Sequence, residues 1–413
     1  MKNKKIIIIG GGAGGFFAAI NLKEKNLNYN VSILEQTNTL LKKVKISGGG
    51  RCNVTHSCFD VEELTKNYPR GEKELLGAFY QFQPQDMIEW LKKRGVKTKT
   101  EADGRMFPVS DDSQTIIDCF LKETKKLNID IQKGCAVEKL IPPTDLVNGN
   151  TTNQKWQIQI KNKPNLEADA LIVATGSQPK SWKMLTDLGH SISNPVPSLF
   201  TMDVKNDSRL KDLAGVSVNN GTVWAKDTKL ATENGAVLVT HWGLSAPAVL
   251  RLSAWGAREL ADKNYKFEMG VNWIEGTPKN TLKTLKAHRE EWRKKQIGTI
   301  SPFEIPNRLW KKLVEAAQID LTTNWASLSN NQLEKLSNEL TQGIFHVTGK
   351  STYKDEFVTC GGIALSEVDF KTMESKVLPN LYFTGEVLDI DAITGGFNFQ
   401  AAWTTAWIAA QNI

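Results

Sequence analysis

The sequence has little cysteine, little histidine and no long apolar run. Five cysteines among 413 residues are an odd and sparse set, which argues against the disulfide framework of a secreted protein. The five histidines and the absence of any Cys-x-x-Cys or His-x-x-x-His pair argue against a metal site. No uncharged run reaches the roughly 20 strongly apolar residues of a membrane-spanning helix. We therefore predict a cytoplasmic protein without a metal or a membrane partner.

The basic start of the chain superficially resembles a signal peptide, because residues 6–22 carry no charge. However, five of these residues are glycines, and the purely apolar run Ile6-Ile7-Ile8-Ile9 is short. No cleavage site with small residues follows it. The pattern instead indicates a buried strand that leads into a glycine turn.

The charge balance is only moderately basic, with a net charge of +7. Residues 279–295 contain seven Lys or Arg against two Glu, so much of the excess lies on one predicted helix. Such a helix is usually solvated on its charged face. It would alternatively attract an anionic substrate or a pyridine nucleotide, or contact RNA. No RNA-binding module accompanies it, so we expect a small-molecule substrate and no nucleic-acid partner.

Periodicity predicts an α/β domain at both ends of the chain and a different middle region. The pattern of predicted secondary structure changes after Asn194-Pro195-Val196-Pro197, where short strands and then helices follow. An Asn148-Gly149 turn is expected between two strands. The predicted strands are 6–9, 31–34, 136–141, 156–160, 169–175, 200–204, 221–225, 236–240 and 381–384. The predicted helices are 16–25, 84–94, 113–127, 247–262, 278–295, 306–317, 329–341 and 398–410.

The strongest local signal is the run Gly10-Gly11-Gly12-Ala13-Gly14-Gly15, which fits G-x-G-x-x-G between a predicted strand and a helix. The first glycine permits a tight turn, the second lets the backbone approach a pyrophosphate, and the third allows close packing of helix and strand. Glu35 follows the second strand, where its carboxylate can accept hydrogen bonds from a ribose. This pattern predicts dinucleotide binding, and by itself it is compatible with FAD, NAD or NADP.

Two later segments favour FAD. Leu171-Ile172-Val173-Ala174-Thr175-Gly176 and Leu381-Tyr382-Phe383-Thr384-Gly385-Glu386 resemble motifs of flavoproteins with two dinucleotide-binding domains. The acid after the late glycine holds the ribityl chain in those families, and here it is Glu386. Thr394-Gly395-Gly396-Phe397-Asn398 then opens the last helix, whose N-terminus would face the flavin N1–C2=O edge.

A third glycine cluster is Ser47-Gly48-Gly49-Gly50-Arg51-Cys52-Asn53. Its backbone amides and its cation suit an anionic or aromatic ligand. Three further runs belong to the same pattern: Gly104-Arg105-Met106-Phe107-Pro108, Thr240-His241-Trp242-Gly243-Leu244-Ser245 and Gly385-Glu386-Val387-Leu388-Asp389. With these runs the chain resembles, over essentially its whole length, the BaiN/YhiN-like family of bacterial NAD(P)/FAD-dependent oxidoreductases. The family usually reads Ser-Gly-Pro where this chain has Ser245-Ala246-Pro247, a departure that we expect to be of little consequence.

The resemblance implies an α/β fold with a discontinuous, glutathione-reductase-like, FAD-binding Rossmann domain of residues 1–195 and 346–413. An inserted β-plus-helical domain of residues 196–345 would form the substrate or cap side. The cofactor residues that we predict are Gly10, Gly12, Ala13, Gly14, Gly15, Glu35, Gln36, Lys43, Ser47, Gly48, Arg51, Cys52, Asn53, Val137, Ala174, Thr175, Gly176, Gly385, Glu386, Gly396, Phe397 and Asn398.

Cys52 and Cys58 raise the question of a redox-active dithiol. Pyridine-nucleotide disulfide reductases have Cys-x4-Cys in this region, whereas the spacing here is one residue longer, so a disulfide on a helical turn would be out of phase. Those enzymes also need a second glycine fingerprint, which the sequence does not contain. We therefore interpret Cys52 as a small residue packed near the cofactor. Arg105 and His241 are candidates for catalytic or substrate contacts, and a purely structural role for His241 is equally compatible with the sequence.

The function predicted from the sequence is an FAD-dependent oxidoreductase. Hydride would pass through flavin N5 from NAD(P)H or a small organic donor to an organic acceptor or oxygen. NAD(P)H would be a transient co-substrate. Three alternatives remain open at this point: an FAD-dependent RNA-modifying or RNA-binding protein that uses the basic helix, a small-amine oxidase, and a redox sensor without turnover. The substrate, the choice between NADH and NADPH, and the oligomeric state are not predicted.

Overall fold

The computed structural model describes residues 3–143, 155–351 and 358–413. The predicted Asn148-Gly149 turn lies outside the described residues. The chain divides into two compact units: unit 1 comprises Met1–Val196 and Lys354–Ile413, and unit 2 comprises Pro197–Tyr353.

The N-terminal segment of unit 1 alternates strands and helices. Its strands are β1 (Lys5–Ile9), β2 (Asn30–Leu34), β3 (Thr55–His56), β4 (Thr98–Thr100), β5 (Arg105–Pro108), β6 (Asp130–Gln132), β7 (Val137–Ile141), β8 (Trp156–Ile160), β9 (Leu166–Ala168) and β10 (Ala170–Val173). A further strand, β11 (Ile192–Ser198), begins in unit 1 and ends two residues into unit 2. The helices of this segment are α1 (Ala13–Lys25), α2 (Lys42–Gly50), α3 (Val61–Thr65), α4 (Glu72–Phe79), α5 (Pro84–Lys92), α6 (Gln114–Lys126) and α7 (Pro179–Asp187).

The described residues of unit 2 form one sheet and five α-helices. Its strands are β12 (Thr201–Asp203), β13 (Ser217–Ala225), β14 (Glu233–Val239), β15 (Gly243–Ser245), β16 (Phe267–Asn272), β17 (Gly343–Val347) and β18 (Gly349–Ser351). Its helices are α8 (Pro247–Trp255), α9 (Ala257–Asp262), α10 (Pro278–Glu291), α11 (Asn307–Ala316) and α12 (Asn330–Gln342).

The last part of unit 1 adds β19 (Val358–Ile363), β20 (Val368–Asp369), β21 (Glu374–Ser375), β22 (Leu381–Phe383) and α13 (Phe397–Asn412).

The main sheet of unit 1 has the order β20-β21-β22-β10-β1-β2-β6. The five strands from β22 to β6 are parallel, whereas β20 and β21 pair antiparallel at one edge. The parallel strands are short and rich in Ile, Val and Leu because both faces of a parallel sheet are covered. Helix α1 is buried along most of its length and packs against α13, where Phe17 contacts Trp403 with ring centroids 5.4 Å apart.

Unit 2 is built on a seven-stranded antiparallel sheet of order β17-β16-β13-β14-β15-β12-β18. The single helix predicted over residues 247–262 is wrong in one respect, since the structure ends α8 and begins α9 around Gly256. A Cβ atom at Gly256 would lie 2.5 Å from the Leu230 side chain, so close packing requires glycine there. No helix within the described ranges is both long and apolar enough to cross a membrane.

Candidate functional site

The carboxyl ends of four neighbouring parallel strands bring the predicted motifs of unit 1 to one edge of the sheet. Ile9 of β1 pairs with Leu34 of β2 and with Val173 of β10, and Val173 pairs with Phe383 of β22. The glycine turn, Glu35, Ala174 and Thr384 each follow one of these strands. Ligands of open α/β sheets bind in the crevice outside this edge, so the four motifs form one candidate site.

The glycines after β1 have two separate tasks. Gly10 has φ +116°, and a Cβ atom on it would overlap the carbonyl oxygen of Ala174. A Cβ atom on Gly15 would overlap the carbonyl oxygen of Gly10, and one on Gly14 would lie 3.0 Å from Thr384 Oγ1. These three glycines therefore allow close packing. Gly12 differs, because a Cβ atom there would have no atom within 4 Å, which leaves its backbone open toward a ligand.

Glu35 is hydrogen-bonded to the glycine turn. Its Oε2 accepts from the N–H of Gly11 at 2.9 Å, and its Oε1 accepts from the N–H and the hydroxyl of Thr37, each at 2.8 Å. The carboxylate is therefore fixed at the end of β2 with lone pairs remaining for ribose hydroxyls. The neighbouring Gln36 is exposed. Val137 follows Cys135, whose N–H donates to the carbonyl oxygen of Glu35 at 2.8 Å.

A second open backbone lies in the glycine cluster that ends α2, where the helix is kinked. Gly48, Gly49 and Gly50 all have positive φ angles, between 58° and 85°. A Cβ atom on Gly49 or Gly50 would have no atom within 4 Å, whereas one on Gly48 would press against the Phe107 ring. Ser47 leaves helical geometry at this point, and its hydroxyl donates to the carbonyl oxygen of Val44 at 3.0 Å. Successive open amides of this kind suit a polar or anionic ligand.

Cys52 is fully buried in this cluster and has φ +60°. Burial raises the pKa of its thiol to about 12, although a hydrogen bond with Ser47 opposes the shift. Cys58 is half-buried, and burial together with Asp60 and Glu63 raises the pKa of its thiol. Cys52 and Cys58 are both free thiols. Neither Cys52 nor Cys58 is therefore a thiolate nucleophile near neutral pH.

The two predicted arginines share one carboxylate. Arg51 Nη1 lies 2.6 Å from Glu101 Oε1, and Arg105 Nη2 lies 3.0 Å from Glu101 Oε2. The Arg51 guanidinium also lies over the Phe107 ring, 4.0 Å from its centroid, and the hydrogen bond with Glu101 raises its pKa. Arg105 is additionally paired with Asp103 at 2.7 Å. The structure thus places both cations together, each already paired with an acid.

Glu386 meets residues from three other segments. Its Oε2 is paired with the ammonium of Lys43, and its Oε1 accepts from the N–H of Thr359 at 3.0 Å. A Cβ atom on Gly176 would lie 3.6 Å from the same carboxylate. Gly385, with φ +70°, is anchored because its N–H donates to Thr405 Oγ1 of α13 at 3.0 Å. The predicted residues Lys43, Gly176, Gly385 and Glu386 are therefore neighbours.

Helix α13 begins at this edge with open backbone N–H groups. Its N-cap, Gly396, is left-handed at φ +95°, and the helix has neither a capping side chain nor an acidic residue in its first turn. Asn398 points back to the preceding loop, where its Oδ1 accepts from Ala392 N–H at 3.0 Å and its Nδ2 donates to Ala392 O at 3.1 Å. Asn398 thus fixes the loop, and the uncapped N-terminus provides the positive end of the helix dipole.

His56 belongs to this region, although the sequence presents it as an isolated histidine. Its ring stacks on Phe397 with centroids 4.5 Å apart. Its Nε2 lies 3.1 Å from the carbonyl oxygen of Asp103, which can only accept, so Nε2 carries the hydrogen. Burial lowers the pKa of His56. Within the described chain, buried Nδ1 of His56 and Oδ1 of Asn53 have no hydrogen-bond partner. Both residues lie beside Gly395 and Gly396, so these atoms mark a polar environment around the α13 N-terminus.

The predicted site residue His241 lies in unit 2. It is exposed, on the turn between β14 and β15, beside the exposed Trp242. Thr240 Oγ1 accepts from the N–H groups of Trp242 and Gly243 and shapes this turn. Among the described residues, no group of three or more His, Cys, Asp or Glu side chains is placed to hold a metal ion.

The donor set fits a dinucleotide. Open backbone faces occur at Gly12, Gly49 and Gly50, two helix N-termini are uncapped by side chains, and a fixed carboxylate stands at the end of β2. The fold and this edge define a protein of the Rossmann-type dinucleotide-binding class.

Comparison with known proteins agrees with this class. Residues 4–412 match the family described as HI0933-like protein Rossmann domain, and the chain belongs to that family. It is 28% identical to a ribosomal RNA dihydrouridine synthase of Escherichia coli (strain K12), over 100% of this chain and 98% of the relative. It is 27% identical to a 3-dehydro-bile acid delta(4,6)-reductase of Clostridium scindens, over 98% of each chain.

A solved structure, a 3-ketosteroid-delta4-(5alpha)-dehydrogenase from Rhodococcus jostii RHA1, aligns over 99% of this chain and 98% of its own. The TM-score is 0.49 at 11% identity. Membership of the family makes the chain an FAD-dependent oxidoreductase, as the glycine turn, the late Gly385-Glu386 pair and the α13 N-terminus predicted.

Proposed function

We propose that the chain reduces a carbon–carbon double bond conjugated to a carbonyl group, with NAD(P)H as the hydride donor. The sheet edge of unit 1, with its open glycines and the uncapped start of α13, supports FAD as the carrier. Bound FAD would supply the two-electron chemistry, with hydride passing through flavin N5. The hydride would add to the carbon β to the carbonyl group, and a proton from water would reach the α-carbon to complete the saturated product.

The names of two relatives support this choice of acceptor. One relative is named for converting uridine to dihydrouridine, and the other for reducing delta(4,6) bonds of a 3-dehydro bile acid. The two substrates differ in size and polarity. Both nevertheless contain a carbon–carbon double bond in conjugation with a carbonyl group, and both products are saturated at that bond. The shared chemistry is therefore the property that we transfer to this chain.

The residues of the chain would have distinct tasks in this reaction. Glu35 would accept the ribose hydroxyls of the adenosine half, and the open amides near Gly12 would receive the pyrophosphate. Glu386 would hold the ribityl chain. The N-terminus of α13 would stabilise the negative charge that develops at the pyrimidine edge on reduction. The observation that carries the proposal is the meeting of these groups at one edge of the parallel sheet.

The proposal is tested with enzyme that has been reduced anaerobically. A 4-ene-3-ketosteroid, a uridine-containing RNA and a simple cyclic enone are each added, and return of the oxidised flavin spectrum is followed. Reoxidation by at least one of these, with formation of the saturated product, is expected, whereas saturated analogues have no effect. If all three fail and a small amine instead reduces the oxidised enzyme, the chain is an amine oxidase and the proposal is wrong.

An RNA acceptor is a second candidate because α10 presents cations on one face. Lys279, Lys283 and Lys286 lie at spacings that place them together on a helix, and none has an ion-pair or hydrogen-bond partner among the described residues. Arg289 differs, since it donates to Leu328 O at 3.2 Å and to Asn330 Oδ1 at 3.1 Å. The three lysines are thus available to phosphates, while Arg289 stabilises unit 2.

Salt dependence decides this second candidate. The affinity for RNA falls as salt rises, and each phosphate contact that is lost reduces the steepness of this fall, in log affinity against log salt, by about 0.7–0.9. The triple variant K279Q/K283Q/K286Q should therefore bind RNA with a slope whose magnitude is smaller by about two. Neutralising three exposed lysines elsewhere in unit 2, in K205Q/K211Q/K229Q, is the matched control and should leave the slope unchanged. Equal effects of the two variants, or no RNA binding at low salt, would exclude an RNA acceptor.

A further inference from the structure

The loop that leads into α13 is held by one short segment between α3 and α4. The N–H of Ile393 donates to the carbonyl oxygen of Asn67 at 3.0 Å. The hydroxyl of Tyr68, which is fully buried, donates to the carbonyl oxygen of Phe397 at 2.7 Å. The position of the α13 N-terminus is therefore fixed by residues more than 300 positions away in the sequence.

An ion pair in the same segment adds charge to this attachment. Arg70 Nε donates to Asp391 Oδ1 at 2.5 Å, and Arg70 Nη2 donates to Asp391 Oδ2 in a second, parallel bond. The Asp391 side chain is 0% exposed and that of Arg70 is 11% exposed. The backbones of the two residues also form an antiparallel bridge. A bidentate pair with this degree of burial has a fixed geometry.

The position of Asp391 matters because of its charge. It lies in the loop that Asn398 fixes through Ala392, five residues before the helix cap Gly396. A buried carboxylate without a compensating cation would oppose negative charge at the nearby helix N-terminus. Arg70 lies against this carboxylate, so the two opposite charges of the pair offset each other beside the helix. Removing either charge changes the net charge near the helix N-terminus by one unit, whatever else the remaining side chain contacts.

We propose that Arg70 is a positioning residue that sets the reduction potential of the bound FAD by neutralising Asp391 beside the α13 N-terminus. This inference rests on the proposed placement of the flavin pyrimidine edge at that N-terminus. Without the Arg70 charge, Asp391 disfavours the anionic reduced flavin. Without the Asp391 charge, Arg70 favours it.

Three variants separate charge from structure: R70M, D391N and the double variant R70M/D391N. The potential of the bound FAD is measured at pH 8 by chemical reduction against reference dyes. R70M should have a more negative potential and D391N a less negative one, and the double variant should return to that of the unmodified enzyme. A tenfold change in the ratio of affinities for reduced and oxidised FAD corresponds to about 30 mV for this two-electron couple. We expect each single variant to shift by about this amount.

The matched control is Arg94 of unit 1, whose side chain is 8% exposed and is paired with the surface acid Glu24 and the buried acid Glu123. R94M removes an equally buried arginine from acidic partners outside the α13 loop. We expect R94M and R70M both to lower stability, and R94M to do so without a shift in potential. If R70M does not retain FAD, D391N alone tests the proposal, because the potential of its bound FAD must be less negative than that of the unmodified enzyme.

Equal potentials in D391N and the unmodified enzyme, or shifts of the same sign in both single variants, would overturn the proposal. The measurement uses neither NAD(P)H nor an acceptor substrate. Its failure is therefore distinguishable from failure of the proposed reductase activity, which would leave these potentials unaffected.

Discussion

Glu35 and Gly11 connect the second strand of the parallel sheet to the glycine turn after the first. The Glu35 carboxylate accepts the Gly11 N–H at 2.9 Å, while its other oxygen is bound by Thr37. The chain's own hydrogen bonds therefore hold the acid beside the turn. Such preorganisation reduces the entropy that cofactor binding would otherwise lose.

Substitution of Glu35 should weaken FAD binding with a smaller effect on folding. E35A removes the ribose acceptor and the bond to Gly11, and charge-assisted hydrogen bonds contribute about 1.5–3 kcal/mol. The dissociation constant of FAD should thus rise at least about tenfold. Binding is measured by fluorescence titration of the apoprotein. E138A, which removes an exposed acid on β7, is the control. Unchanged affinity in E35A would remove Glu35 from the site.

Alanine substitutions at Gly12 and Gly15 should have opposite consequences. G12A adds a methyl group that has no atom within 4 Å, whereas G15A adds one that overlaps the carbonyl oxygen of Gly10. G12A should consequently fold with normal stability but lose FAD, because its methyl group occupies the approach to the pyrophosphate. G15A should lower the thermal midpoint of the apoprotein. Differential scanning fluorimetry without FAD, followed by FAD titration, separates the two effects. Normal FAD affinity in G12A would contradict the role of the glycine turn.

The sequence predicted elements whose pattern is local. Strand β1, helix α1 and strand β2 were expected from a β-branched run, a glycine turn and a second apolar run, and the structure confirms them. The α/β class and the family resemblance are confirmed as well. Strands β16 and β17 were missed because their pairing spans the intervening helices α10 to α12. Long-range antiparallel pairing of short strands leaves little trace in a local pattern.

Other features of the site depend on contacts between distant segments. His56 had no motif around it, yet it stacks on Phe397, which is 341 residues later in the chain. The Arg70 and Asp391 pair is similarly distant in sequence. Isolated charged residues of this kind are indistinguishable from surface residues until the fold brings them together. For Asn398, the sequence predicted that the residue belongs to the site, but it did not predict the hydrogen bonds of its side chain to Ala392.

Cys52 should be inert to thiol reagents in the folded protein. Its pKa is raised from 9.0 to about 12 by burial, so iodoacetamide at pH 8 should label Cys58 in preference to Cys52, as mass spectrometry of the peptides will show. Because the raised pKa favours the protonated thiol in the folded protein, Cys52 contributes fully to the free energy of unfolding below pH 9. This contribution is lost as the pH rises toward 12. Between pH 8 and pH 10, the unfolding free energy should fall by about 1.4 kcal/mol more in the unmodified protein than in C52A. Equal falls in both proteins would contradict the raised pKa of Cys52.

The protein should be more stable with glycine in place of Ala246. The structure corrects the expectation that the Ser-Ala-Pro departure is of little consequence, because Ala246 has φ +82° and ψ 174° at the start of α8. A side chain in this region costs of order 1–3 kcal/mol, and glycine loses about 1 kcal/mol of entropy on folding. A246G should therefore gain about 1 kcal/mol in urea unfolding. A287G on the exposed face of α10 should lose about that amount. A loss in both variants would show that Ala246 is unstrained.

The central claim is that this chain is an FAD-dependent reductase driven by a pyridine nucleotide. The most direct test mixes the purified protein anaerobically with NADH and then with NADPH, while the visible flavin absorbance is followed and the cofactor released by denaturation is identified. The account predicts one FAD per chain and rapid bleaching by at least one nucleotide, and the faster nucleotide identifies the donor. A flavin that is not bleached by either nucleotide would contradict the assigned donor, and a chain that takes up no FAD would contradict the account as a whole.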